Sequence, residues 1–237
     1  LGFIVVTDIW YYFSKKSNSI SFTTKMITLS FFGVLLIATA ITFFGESTIQ
    51  HYPAFERLEI ATFQTVNAIS TAGYNSIPLS NLTLGVLLTI IFLMYVGAAP
   101  SSTGGGMKIT TLTAVIAIVK SKVRNQAKVT YLGKKIPADR LEMAVSTFIF
   151  YTAILFFSVF LLSFTENQSL EKLLFEATSA IGTVGLSMGI TGSLSVWGKI
   201  ILISIMFIGR VGVITFGLAI LAKKQHKKID NETDLAV

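Results

Sequence analysis

Cysteine is absent from all 237 residues, which excludes disulfide bonds and thiolate metal sites and leaves no trace of a redox compartment. Charge is scarce too: Asp, Glu, Lys and Arg make up 13% of the chain, against about 25% in a typical soluble domain. With 52% hydrophobic residues and a mean hydropathy of +0.71, that shortage points to a membrane. Also missing is any Ser-His or paired-carboxylate constellation, so no enzyme and no covalent cofactor are expected. The net charge of +7 would attract nucleic acid if it were clustered on a folded surface. Instead the basic residues gather in Lys15 to Lys25, Lys120 to Arg140 and Lys223 to Lys228, each flanking an apolar segment. Anionic lipid and the positive-inside rule account for that placement, and no nucleic-acid partner is expected.

What the chain does have is an internal repeat. Thr71-Ala72-Gly73-Tyr74 and Thr183-Val184-Gly185-Leu186 lie 112 residues apart within one gap-free register. That register also pairs Phe63 with Phe175, Ala68 with Ala180, Ile69 with Ile181, Met94 with Met206 and Gly97 with Gly209. A fixed offset held this far marks a duplicated structural unit. Each copy reads as a span, a helix too short to span, a Thr-x-Gly loop and a second span. In the first, Met26 to Phe44 carries no charge and is long enough for the ~30 Å hydrocarbon layer. Phe55 to Ile69 is the short helix and Leu84 to Val119 the second apolar segment. The second copy has Leu141 to Phe164, then Leu170 to Ile181 with Ser169 as N-cap and Glu171 in its first turn, then Val196 to Ala222.

A dehydrated cation needs a stack of oxygens, and successive carbonyls point to one side only with unusual backbone angles. Gly73 and Gly185 allow those angles, and the hydroxyls of Thr71 and Thr183 add a further ring. The C-terminal end of each short helix turns about half a negative charge toward the same place. Thr71, Ala72, Gly73, Tyr74, Thr183, Val184, Gly185 and Leu186 are therefore the expected filter of a cation pore, with potassium as the ion held there.

Between Leu84 and Val119 the run Gly97, Ala98, Ala99, Pro100, Ser101, Ser102, Thr103, Gly104, Gly105 and Gly106 forbids one continuous helix. It is not a phosphate-binding loop, because Met107 separates Gly106 from Lys108. Non-helical backbone at membrane depth survives only when buried in protein or lining water, so the run is expected under the filter as a gate. Arg210 sits in mid-span, where lipid exposure costs at least about 3 kcal/mol. The register sets it opposite Ala98, and it is expected to bind the carbonyls of the gate run or the hydroxyls of Ser101, Ser102 and Thr103.

The basic block at 120–140 is expected to be cytoplasmic, and the acid-bearing turns before both short helices external. This divides the chain into residues 1–25 (end of a preceding repeat and linker), 26–119, a cytoplasmic linker 120–140, 141–222, and a cytoplasmic tail 223–237. Leu1-Gly2-Phe3-Ile4 reads like Val211-Gly212-Val213-Ile214, so the chain is expected to begin inside an earlier repeat.

Ser-Thr-Ala-Gly-Tyr-Asn-Ser (70–76), Pro-Ser-Ser-Thr-Gly-Gly-Gly-Met-Lys (100–108), Thr-Val-Gly-Leu (183–186) and Gly-Arg-Val-Gly (209–212) resemble the Trk/Ktr/HKT superfamily of potassium transporters, most of all its Ktr-type membrane subunits. The resemblance implies an all-α polytopic membrane protein in which four span–pore helix–filter loop–span units surround one pore, with this chain matching the third and fourth. It also implies potassium uptake across the cell membrane, with sodium as coupling ion in some members. A homodimer of full-length chains and a cytosolic nucleotide-binding regulatory subunit are implied as partners. The alternatives are a sodium-preferring relative and a non-conducting membrane scaffold. Leu186 departs from the tyrosine at Tyr74, which makes the filter chemically asymmetric.

Overall fold

The computed structural model describes residues 1–17, 19–126 and 128–212. The tail 223–237, its basic block and the far part of the expected span Val196 to Ala222 lie outside the described residues. The described chain is almost entirely helical. Helix α1 (Phe3–Phe13) precedes α2 (Phe22–Gly45), α3 (Ala54–Ser70), α4 (Leu84–Val96) and α5 (Ile109–Val123). A two-residue hairpin, β1 (Thr130–Tyr131) with β2 (Lys134–Lys135), leads into α6 (Ala138–Thr165), α7 (Leu170–Ile181) and α8 (Val196–Val211).

Two of these, α2 with 24 residues and α6 with 28, are long and apolar enough to cross a bilayer. The first starts at Phe22 rather than Met26 because Ser21 caps it, accepting a hydrogen bond from the Thr24 amide. The second starts at Ala138, inside the expected linker, with Asp139 in its first turn against the helix dipole. Helix α7 has the predicted bounds with Ser169 at its N-cap, but the Ser169 side chain makes no capping bond: its hydroxyl donates to Glu171 Oε1 at 3.2 Å. Helix α8 ends at Val211, where Gly212 takes φ 94°. The second apolar segment of the first unit is split as expected, into α4 and α5.

Packing follows the two units. Helices α2, α3 and α4 pack together, as do α6, α7 and α8, while α4 on α7 and α5 on α6 join the halves. An acid closes each unit at one end. Glu46, just after α2, accepts from the Thr83 amide at 2.9 Å, and Glu166, just after α6, accepts from the Ser195 amide at 3.1 Å and its hydroxyl at 2.5 Å. Thr83 and Ser195 are the N-cap positions of α4 and α8, so the same acid-to-cap tie holds the second helix of each unit. Hydrogen bonds from Ser195, the side chain's foremost, hold the Glu166 carboxyl below its ordinary 4.5.

Candidate ion-conducting site

Helix α3 stops at Ser70, directly before its Thr-x-Gly, and α7 at Ile181, one residue short of the other. The chain turns in the same way in both: the Ala72 amide returns to Asn67 O at 3.1 Å, and the Val184 amide to Ser179 O at 2.9 Å. Thr71 and Thr183 both take left-handed angles, φ 58° and 53°, and Gly73 and Gly185 are positive again at 79° and 92°. Ala72 and Val184 between them are not, so the sign alternates along each loop and swings neighbouring carbonyls toward a common side. A β-branched residue at positive φ is a steric outlier worth about 1–3 kcal/mol, and it occurs at both matching positions. Gly185 stands open, whereas a Cβ added at Gly73 would collide with the Val184 carbonyl. The two loops therefore lie backbone against backbone.

Their flanks differ sharply. Val184, Leu186 and Met188 are buried, and they join the core of the first unit with Ala68, Ile69 and Met94 rather than that of their own. The register partners Ala72, Tyr74 and Ser76 are all exposed, Tyr74 at 70% against 4% for Leu186. Behind each loop stands a buried polar residue of the short helix. Gln64 Oε1 accepts from the Ser76 amide at 3.1 Å, and Glu176 Oε1 accepts from the Met188 amide at 3.0 Å. These are the same bond in the two copies.

The run Gly97 to Gly106 folds as a loop with a closed neck. Amides of Met107, Lys108 and Ile109 donate to the carbonyls of Tyr95, Val96 and Ala98 at 3.2, 2.8 and 3.2 Å. Gly97 and Gly106, at φ 65° and 81°, face each other there so closely that neither could carry a side chain. The body of the loop presses against the two Thr-x-Gly segments. A Cβ at Gly104 would meet the Thr71 side chain, and one at Gly105 would lie 2.6 Å from Gly182 O and from Thr183 Oγ1. The Gly105 amide donates to Thr183 Oγ1 at 2.9 Å, so that hydroxyl faces the loop.

Two cations hold the loop from outside it. Arg210 Nη1 donates to the carbonyl oxygen of Thr103 at 2.5 Å, and the hydroxyls of Ser101, Ser102 and Thr103 do not serve it. Lys108 Nζ donates to the carbonyls of Gly104 and Gly105. Pro100 and Ser101 meet the other end of the chain, where the Phe3 amide donates to Ser101 O at 3.1 Å. Lys108 was not singled out by sequence, although it is the sole charge between Leu84 and Val119. Glu176 and Gln64 are not marked by the sequence either, because each is one of several polar residues on its short helix.

Residues 9–231 match the TrkH family, described as cation transport protein. The chain belongs to this family. Among the TrkH-family relatives it is similar to, the Ktr system potassium uptake protein B of Vibrio alginolyticus is 33% identical over 91% of this chain and 48% of the relative. The protein of the same name from Bacillus subtilis is 31% identical over 97% and 52%. The potassium/sodium uptake protein NtpJ of Enterococcus hirae is 34% identical over 94% and 50%. The chain thus spans about half the length of these curated relatives. Its fold is similar to the crystal structure of the potassium transporter TrkH from Vibrio parahaemolyticus, with a TM-score of 0.74 over 93% of this chain and 50% of that one, at 19% identity.

Proposed function

We propose that this chain supplies two units of a potassium-conducting pore, with the Thr-x-Gly loops as half of its filter and Gly97 to Gly106 as its gate. The observation that carries the proposal is the pair of loops itself. Each follows a short helix, each alternates its backbone sign through threonine and glycine, and each lies against the other. Carbonyls ordered this way replace the water shell of a weakly hydrated cation, and the helix C-termini add negative potential beneath. The gate loop then blocks the axis below, with Arg210 and Lys108 fixing it there and repelling a passing cation at low dielectric.

Two further units complete the ring. The second loop buries Val184, Leu186 and Met188 in the unit before it, and the matching face of the first loop is open. Head-to-tail packing of this kind closes when a preceding unit covers Tyr74 and its neighbours. The assembled transporter resides in the cell membrane with residues 120–140 and the C-terminus cytoplasmic. It works as a homodimer with a cytosolic nucleotide-binding regulatory subunit, binds no covalent cofactor and catalyses no reaction. The names of the relatives, potassium uptake and potassium/sodium uptake, support potassium as the substrate and sodium as the coupling ion or the competing choice.

Uptake by the assembled transporter in cells lacking their own potassium uptake tests this reading. Potassium accumulation well above sodium is expected. Sodium accumulation in preference would favour the sodium-selective alternative, and no uptake of either ion by protein present in the membrane would leave a scaffold.

A further inference from the structure

The two filter loops are braced by the same hydrogen bond at the same register position, yet by side chains of different charge. In the first unit Gln64 accepts one bond, from the Ser76 amide at 3.1 Å. In the second Glu176 accepts three: from the Met188 amide at 3.0 Å, the Ser187 hydroxyl at 2.5 Å and, on its other oxygen, the Thr191 hydroxyl at 2.7 Å. Glu176 is 5% exposed. Among the described residues it forms no ion pair, the one such contact joining Arg140 to Asp139. Burying a carboxylate without a basic partner is unfavourable, and hydrogen bonds from neutral donors offset only part of that. A neutral glutamine does the bracing at the matching position, so bracing alone does not require a charge. Among the described residues no basic side chain is paired with that charge, which leaves it free to act on a cation passing the loop.

Glu176 also faces the right space. It lines a cavity of about 430 Å³ whose wall also includes Thr183, Gly185, Leu186 and Arg210. The permeating ion thus passes a wall with a fixed negative group beside the second loop and a fixed positive group at the gate. On the basis of the pore reading above, we infer that Glu176 is a specificity-determining positioning residue. Its carboxylate shapes the 186–191 segment and supplies, for a dehydrated alkali cation, the negative field that Gln64 does not supply in the first unit.

The test uses potassium uptake kinetics of the assembled transporter, with membrane abundance measured alongside. Glu176→Gln retains the acceptor that Gln64 uses and removes the charge. It should raise the KM for potassium about tenfold, the scale of one charge-assisted contribution, while the maximal rate per protein falls by no more than about twofold. Thr191→Val removes one donor but keeps the charge, and should leave the KM within about twofold of wild type. The double variant Gln64→Glu with Glu176→Gln moves the charge to the matching site in the other loop, and should recover most of the lost affinity. If the double variant stays as weak as Glu176→Gln, or if Thr191→Val is equally weak, the residue is only a local brace and the inference is wrong. Gly185→Ser serves as the control for the pore itself. If it changes potassium over sodium preference while Glu176→Gln leaves the KM alone, the inference fails and the pore stands; if neither variant alters transport, both fail.

Discussion

Threonine is a poor choice for a left-handed backbone, and this chain makes that choice twice, at Thr71 and Thr183. The angle is tolerated because the helix before it and the loop below it fix both sides of the residue, and a conformation so over-determined belongs to a working surface. The glycines two residues on are unequal. Gly185→Ala adds about 1–2 kcal/mol of strain for positive φ, whereas Gly73→Ala adds that and drives the neighbouring loop off by collision with the Val184 carbonyl. Potassium over sodium uptake ratios should therefore fall further for Gly73→Ala than for Gly185→Ala; equal losses would mean the loops are not in contact. Sequence made the glycines legible because only glycine fits such angles cheaply. It named the threonines for their hydroxyls but concealed their backbone, since nothing in a β-branched residue announces φ 58°. Lys108 is visible in sequence as a lone charge in an apolar stretch, but its carbonyl partners four and three residues back are not.

At the scale of elements, the gate loop is held by contacts that sequence cannot list, because they join backbone groups from both of its ends. Closure of the neck by the Met107, Lys108 and Ile109 amides keeps α4 and α5 joined independently of the contacts that hold the body of the loop, Ala99 to Gly105. Gly105→Ala should push that body away from Thr183 and raise potassium flux, as should Arg210→Ala. Combining them should give little more than either alone, because one barrier is being removed twice. Lys108→Met removes a second tether of the same loop and should likewise add little to Arg210→Ala. Wild-type flux in stably expressed Gly105→Ala and Arg210→Ala would return the loop to a structural role.

The tie between Glu166 and Ser195 makes a separate, pH-dependent prediction. The carboxyl titrates lower in the fold than its ordinary 4.5, so its stabilisation is complete above that value and is lost as pH falls through the lower folded value. The thermal stability advantage of wild type over Glu166→Gln should thus be present at neutral pH and vanish in acid. An advantage that persists below the folded value would remove the carboxylate from the tie. Of the elements themselves, α7 and the break between α4 and α5 were legible from apolar length and from proline and glycine. The 130–135 hairpin was not, being two short strands inside a basic linker.

For the molecule as a whole, the repeat is visible in sequence but the rule that joins its copies is not. Register predicts that Tyr74 and Leu186 share an environment, and they do not: one is 70% exposed, the other 4%. The second loop packs into the unit before it and the first loop has no such cover here, so burial follows the neighbouring unit rather than the residue's own repeat. The absence of cysteine makes this testable by labelling single introduced thiols. In the assembled transporter Tyr74→Cys should be as protected from a thiol reagent as Leu186→Cys. Full labelling of Tyr74→Cys beside a protected Leu186→Cys would mean that no preceding unit covers the first loop.

The central claim is that Gly73 and Gly185 shape one filter for potassium. The most direct measurement is the potassium over sodium uptake ratio of the assembled transporter carrying Gly73→Ser or Gly185→Ser, at matched membrane abundance. Each added side chain falls on a backbone at positive φ, 79° or 92°, and should turn carbonyls out of the stack. Both variants are predicted to lose much of the preference for potassium while remaining in the membrane. If both keep the wild-type ratio, these loops do not select the ion.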